Sequence, residues 1–287
     1  MHDKIGQGPD DGSDRTPRRR RRTARPPRVP RSSLVVVLAL LAALAVTPTA
    51  AAAPGPLRVL SFNIHHAEGP DGRVDLDRLA GELRAADADV LGLQEVDRHF
   101  GERSGSLDQA AELADRLGLH HAFGAHLDLG PPAPGRPPRQ YGTAVLSRHP
   151  VLSATTTRLP GPPDDEPRGV LEVVIAAPGG PVRVLVTHLS PQGSATRQPQ
   201  ARALAAIAAR SPEPVLLLGD LNAEPGTPEV RTLTALLSDA GAGPTFPADA
   251  PAERIDYVLG DARFADAAVL PTTSSDHRGV LATALLR

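Results

Sequence analysis

From Leu57 onward the chain is a succession of short apolar runs, several of which end in a polar or charged residue. LRVLSFNI (57–64), ADVLGLQEV (88–96), GTAVLS (142–147), VLEVVIA (170–176), PVRVLVTHL (181–189), PVLLLGDL (214–221), IDYVLG (255–260) and GVLATALL (279–286) are the right length and composition for strands. Between them lie segments of helical period. Leu76, Leu79, Ala80 and Leu83 share one face behind Asp75 as a cap. Ser106-Leu107-Asp108-Gln109 has the form of a capping box, opening a helix with Leu107, Ala110, Ala111, Ala114 and Leu117 on one side. Further helices are expected around 202–210 and 228–237, and loops over 128–140 and 160–168. So many strands do not fit one small sheet, and the helices fall into an early and a late group. Two stacked sheets with helices outside satisfy both facts, because each sheet then buries both faces.

The first 53 residues are of another kind. Residues 1–33 are polar and arginine-rich, without apolar periodicity, and are expected to be disordered. Leu34 to Val46 is unbroken apolar sequence, followed by Thr47-Pro48-Thr49 and four alanines. A basic flank, a short apolar core and a small-residue exit over 34–53 read as a signal peptide, so the protein is expected to be secreted. Its apolar run is shorter than the roughly 20 residues of a spanning helix. An uncleaved membrane anchor over 34–53 is the alternative. The remaining 54–287 reads as one domain.

Charge narrows the partners. Residues 1–53 carry ten basic and four acidic side chains, which leaves 21 basic against 29 acidic in the rest, a net of −8. Such a domain is not held on polyanions by a general field. With five Phe, two Tyr and no Trp it also has little with which to stack bases. The absence of cysteine removes disulfides, thiolate metal sites and a cysteine nucleophile.

The chemistry is carried by residues that apolar burial does not explain: Asn63, Glu95, His188, Asp220 with Asn222, Asp256, and Asp276-His277. A buried carboxylate without a partner costs several kcal/mol. Singly, each has a structural explanation as a cap or an ion-pair member. Together, oxygen donors at several strand ends without cysteine suit a hard cation such as Mg2+ or Mn2+. Asp220 and Asn222, two apart, share a side if the segment is extended. Asp256 is a natural partner for His277, fixing its tautomer. His65-His66 make a poor pair of zinc ligands if they lie on a strand, where neighbours face opposite ways. No P-loop and no GxSxG elbow occurs.

SFNIHH, LQEVD, THLS, GDLN, RIDYV and SSDH, in that order from about Leu57 to the C-terminus, resemble the endonuclease/exonuclease/phosphatase superfamily, the deoxyribonuclease-like metal-dependent phosphoesterases. The resemblance implies a four-layer α/β sandwich of two packed, mostly antiparallel sheets flanked by helices. It implies metal ligands at Asn63 and Glu95, with Asp276 near the ion. Asp220 would orient or deprotonate the attacking water, with Asn222 beside it. His188 and His277 would contact phosphoryl oxygens, His277 braced by Asp256, and Arg168 would bind phosphate. Thr143 stands where many members have Asn. The cofactor implied is Mg2+ (or Mn2+), and the chain resembles a bacterial subgroup in which His66, Arg98 and Arg103 are candidates for the substrate pocket, beside a solvated-surface reading of each.

The expected activity is hydrolysis of a phosphodiester or phosphomonoester, with a small phosphorylated molecule ahead of a lipid headgroup or nucleic acid as substrate. A secreted nuclease, a sphingomyelinase-like phospholipase and a catalytically silent binding module are the alternatives. No obligate protein partner is expected, and a monomer is.

Overall fold

The computed structural model describes residues 55–286; the basic segment 1–33 and the signal-like 34–53 region with its exit lie outside them. Described in chain order, the elements are β1 (Leu57–Asn63), α1 (Leu76–Ala86), β2 (Val90–Arg98), α2 (Gln109–Leu117), β3 (His120–Leu129), β4 (Arg139–Ser147), β5 (Val151–Arg158) and β6 (Gly169–Ala177). Then follow β7 (Gly180–His188), α3 (Ser194–Ala208), β8 (Val215–Asp220), α4 (Pro228–Thr234), β9 (Ser238–Asp239), β10 (Asp256–Gly260), β11 (Ala262–Leu270) and β12 (Gly279–Leu286).

Two six-stranded sheets result, in the orders β11-β12-β1-β2-β4-β3 and β5-β6-β7-β8-β10-β9. Only β1–β2 and β7–β8 pair in parallel among the described ladders. Strand alternation sorts the side chains into layers. Val59, Val90 and Val145 of the first sheet meet Val173, Val184, Val186, Leu216 and Leu218 of the second. The opposite face of the first sheet, with Leu60, Phe62, Leu91 and Leu93, lies under α1 and α2 through Leu79, Leu83 and Leu113. The opposite face of the second, with Leu185 and Leu217, lies under α3 and α4 through Leu204, Val230 and Leu233. Burial on both faces is why these strands read as continuous apolar runs. At Gly92 the sheets approach so closely that a Cβ would stand 2.7 Å from Leu218 Cβ and 3.0 Å from Val186 Cγ2.

Local signals acted largely as expected. The Asp75 carboxylate accepts from the Arg78 N–H at 2.9 Å and caps α1. The cap of α2 is Asp108, accepting from Ala111 N–H at 3.1 Å, and not Ser106, which has a left-handed backbone (φ 54°). The capping box is therefore displaced, and Leu107, expected on the buried face, is exposed. The expected loop 128–140 is shorter, because β3 runs to Leu129 and β4 starts at Arg139.

Candidate active site

Topology alone gathers the polar strand ends. Parallel pairing of β1 with β2 sets the Asn63 and Glu95 region at one edge of the first sheet. Parallel pairing of β7 with β8 places His188 opposite Asp220 in the second. The antiparallel β10 begins there, with Asp256 opposite Asp220. Antiparallel β12 returns beside β1, so Asp276 and His277 just before it reach the same edge. Antiparallel β6, with Val170 opposite Thr187, brings Arg168 to this rim as well.

The side chains close into one network around Asp220, which is buried. Asn63 Nδ2 donates to Asp220 Oδ2 at 3.1 Å and to Glu95 Oε1 at 3.0 Å. His188 Nε2 lies 3.3 Å and His277 Nε2 3.7 Å from the same Asp220 Oδ2. Asn222 Nδ2 lies 3.0 Å from His188 Nε2 and donates to the Leu189 carbonyl. His277 Nδ1 is 2.9 Å from Asp256 Oδ2, as the carboxylate–imidazole pairing requires. Asp276 stands at the border, 3.7 Å from His65 Nδ1.

Three local expectations need correction. Glu95 does not end its strand. It sits inside β2 where the register with β4 shifts between Leu93 and Val96, with φ 60°. Such a bulge turns a side chain that would follow the pleat toward the rim. Asp220 and Asn222 are not joined by extended chain either. β8 stops at Asp220, Asn222 is left-handed (φ 47°), and its N–H donates to Asp220 Oδ1 at 2.9 Å, so a tight turn brings both to His188. Finally, His65 and His66 do not alternate across a strand, because β1 ends at Asn63. They lie in a 3-10 turn, both with φ 43°, their rings 4.7 Å apart.

Electrostatics separates the two histidines on Asp220. Burial, then Arg168 and His277, hold His188 well below its ordinary value, so it is neutral. Burial also acts to lower His277, but Asp256 and its hydrogen bond, with Asp220, push it up to about 10. Burial, reinforced by Asp256, raises Asp220 to about 7. His188 Nε2 has both the Asn222 amide at 3.0 Å and Asp220 Oδ2 at 3.3 Å beside it, while its Nδ1 is buried without a hydrogen-bond partner and lies 4.0 Å from Glu95 Oε1. Arg168 is nearly buried; its Nη1 meets Glu166 at 3.1 Å, while its Nε has no partner.

Two residues not singled out from the sequence belong to this rim. The Tyr141 hydroxyl lies beside Glu95, and burial with that carboxylate raises it, keeping it a neutral donor. His126 Nε2 is 3.3 Å from the hydroxyl of Thr143, and burial with Arg168 pushes its ring down to about 3. Tyrosine is scarce in this chain, and Tyr141 immediately precedes the GTAVLS run that holds Thr143, which was its signal. His126 had none.

The donors suit a divalent cation. Asp220, Asp256 and His277 present ligand atoms within 4.8 Å of one another, as do His65, His66 and Glu95. Two carboxylates, Glu95 and Asp220, converge on one amide nitrogen, and Asp256 Oδ1 is buried and unpartnered. Anionic clusters of carboxylates and imidazoles suit a divalent cation.

Comparison with known proteins agrees with this geometry. The model of the endonuclease/exonuclease/phosphatase family matches residues 60–277. A solved member from Beutenbergia cavernae shares 33% identity, with 80% of this chain and 72% of that one covered and a TM-score of 0.68. The mannosyl-6-phosphatase of Bacteroides thetaiotaomicron is similar in fold, at 18% identity and TM-score 0.61 over 79% of this chain and 98% of that one. Protein cwh43 of Schizosaccharomyces pombe is 28% identical over 60% of this chain, which spans 16% of its length. The matched segment runs from β1 to His277 and contains every rim residue from Asn63 to that histidine. The chain belongs to the endonuclease/exonuclease/phosphatase family, whose hydrolase fold it has.

Proposed function

We propose that this chain is an exported phosphoesterase that uses a divalent metal and water to hydrolyse a small phosphorylated substrate by in-line attack. The observation that carries the reading is the convergence on buried Asp220 of His188 Nε2 at 3.3 Å and of His277 Nε2 at 3.7 Å, with His277 braced by Asp256 at 2.9 Å. Two imidazoles and a guanidinium gathered on one rim suit an anion.

Asp220, near 7, is a base matched to neutral pH and takes the proton of the attacking water. His188, held at Nε2 between the Asn222 amide and Asp220, contacts a phosphoryl oxygen. Protonated His277, fixed at Nδ1 by Asp256, offers charge from Nε2 to the phosphoryl group as negative charge grows on it. Arg168 supplies a second fixed charge. Glu95 would hold the ion, with Asp276 at its border, and Asn63 would join through Oδ1, which accepts from the His65 N–H while its Nδ2 faces the carboxylates. When bound, the metal supplies Lewis acidity at the phosphate.

The charges favour a small substrate over a polynucleotide. Arg103 is spent on Asp97, at 2.7 Å and 2.9 Å, and Arg98 faces Asp108 at 3.4 Å. These arginines therefore do not add up to a basic groove on a domain of net −8. Export rests on the signal-like run at 34–53.

The test is a panel of a bis-aryl diester, an aryl monoester, sphingomyelin and plasmid DNA, offered to the full-length protein with Mg2+ or Mn2+. Turnover of a small ester that a chelator abolishes and the ion restores is expected. Full turnover in excess chelator, or none on any small ester, overturns the reading. Plasmid nicking that collapses steeply with salt, at about −0.9 per phosphate contact, would move the substrate to nucleic acid.

A further inference from the structure

The mechanism leaves His65 and His66 unused, although they adjoin Glu95. Their turn is built firmly. Ala67 N–H donates to the Ile64 carbonyl at 2.7 Å and Glu68 N–H to the His65 carbonyl at 2.8 Å. Buried Gln109 from α2 donates to the His66 carbonyl at 2.8 Å. His65, His66 and Ala67 all have left-handed backbones, φ 43°, 43° and 70°. Non-glycine residues pay strain energy there, and the result is to turn both rings to one side.

Each ring then has one nitrogen occupied and one free. His65 Nδ1 faces the Glu68 carbonyl at 3.3 Å and Asp276 Oδ1 at 3.7 Å. His66 Nε2 faces the Glu68 carboxylate at 3.2 Å, while its Nδ1 is buried and has no partner. An oxygen acceptor on one imidazole nitrogen places the proton there and the lone pair on the other. This is how metal-ligating histidines are usually oriented. One ring nitrogen of His65, one of His66 and a carboxylate oxygen of Glu95 lie within 4.8 Å of one another.

We propose that His65, His66 and Glu95 form a cation subsite of mixed nitrogen and oxygen donors that takes a borderline divalent transition metal, of the Zn2+ or Co2+ class. Imidazole nitrogens favour such ions, whereas Mg2+ prefers oxygen alone. Three protein ligands leave coordination positions open to water or substrate. Glu68 and Asp276 are positioning residues for the two rings. The proposal shares Glu95 with the phosphoesterase reading but stands on separate nitrogen ligands, so each can fail without the other.

The experiment titrates full-length, metal-stripped protein with Co2+, Zn2+ and Mg2+ by calorimetry, and follows the visible d–d bands of bound Co2+. His65→Ala and His66→Ala are compared with wild type. Each is expected to weaken Co2+ and Zn2+ binding by more than about tenfold and to alter the Co2+ bands, with Mg2+ affinity unchanged. Unaltered Co2+ affinity and spectrum in both variants overturns the proposal. So does an equal loss for Mg2+ and Co2+, which would mean the rings only support Glu95. Thermal melting checks the fold. His66 is buried, so if its variant fails to fold, the half-exposed His65 decides. Intact Co2+ binding by the histidines with no metal-dependent hydrolysis would sink the phosphoesterase reading alone.

Discussion

Strands β1, β2, β7, β8 and β10 pass through two environments within a few residues. In the middle of the sandwich, Val59, Val90, Val186, Leu218 and Val258 fill the space between the sheets without a polar atom in their side chains. At one edge the same strands, or the turns beside them, present Asn63, Glu95, His188, Asp220 and Asp256, and three of these carboxylates and amides crowd on shared neighbours. The centre is optimised for burial. The edge is not, since it holds Asp220 and Asp256 side by side and pushes Asp220 to about 7. Charges so placed lower stability unless they are compensated, which is why the edge is read as chemistry and the centre as scaffold.

That contrast breaks if a rim residue proves to be scaffold. Asp220→Asn has the largest expected effect, a loss of about 10³–10⁴ in kcat. In metal-free protein at pH 8 its melting temperature should rise, not fall. The sign follows from a raised carboxylate: the folded state binds the proton more tightly, so stability declines as pH climbs from about 4 toward 7, and the amide removes that decline. Kinetics and differential scanning calorimetry on one preparation check both halves. A large drop in melting temperature would make Asp220 structural.

Asp256→Asn comes next, with about 10² in kcat, because His277 loses the partner that fixes its tautomer and charge. Nitrogen NMR of His277 should show its titration moving down from about 10. Unchanged titration with near wild-type turnover would detach Asp256 from the chemistry.

Gly92→Ala probes the centre instead. Its Cβ would meet Leu218 and Val186 at 2.7–3.0 Å, and the sheets must part. A loss of about 1–3 kcal/mol in urea unfolding is expected, with kcat kept at temperatures where the variant stays folded. A lost kcat at full stability would show that the rim senses the sheet spacing.

The smallest effect concerns a buried charge away from the rim. Glu229 on α4 accepts from Ser194 Oγ at 2.7 Å and from Arg197 Nε at 2.8 Å. Burial acts to raise it, but these donors outweigh burial and hold it below the ordinary value. Its stabilisation is therefore present above the unfolded carboxylate range and lost as pH falls through the depressed folded value. Glu229→Gln should shrink the stability difference between pH 7 and pH 3 by about 1 kcal/mol. An unchanged acid limb would leave this ion pair without a role in acid stability.

The same division of environments governs what can be read from the residues. Strands buried on both faces, such as VRVLVTH and VLLLGD, are legible because, Arg183 and Thr187 apart, no polar side chain precedes the functional one. The four strands that escape a reading by composition, β3, β5, β9 and β11, are the four sheet edges. VLSATTTR in β5 is exposed along most of its length, and HHAFGAHLDL in β3 mixes glycine and histidine into its pattern, so neither carries a burial signal. His126 was hidden with β3. In the site, residue types at strand ends were legible, but their aim was not. The bulge at Glu95 and the left-handed turns at His65, His66 and Asn222 depend on register and tertiary contacts that periodicity does not encode.

Strand β12 lies inside the first sheet, between β11 and β1, and not at its margin. Ser275, just before it, donates to the Asn63 carbonyl across 212 positions of chain, and Asn63 reaches Asp220 across 157. Assembly in time is therefore ordered. Helices and neighbouring hairpins form from nearby residues, whereas β1 keeps an open edge until β12 inserts. Contacts this remote are slow to form. During refolding, regained turnover should lag the far-ultraviolet helix signal and coincide with amide protection of the β1–β12 ladder.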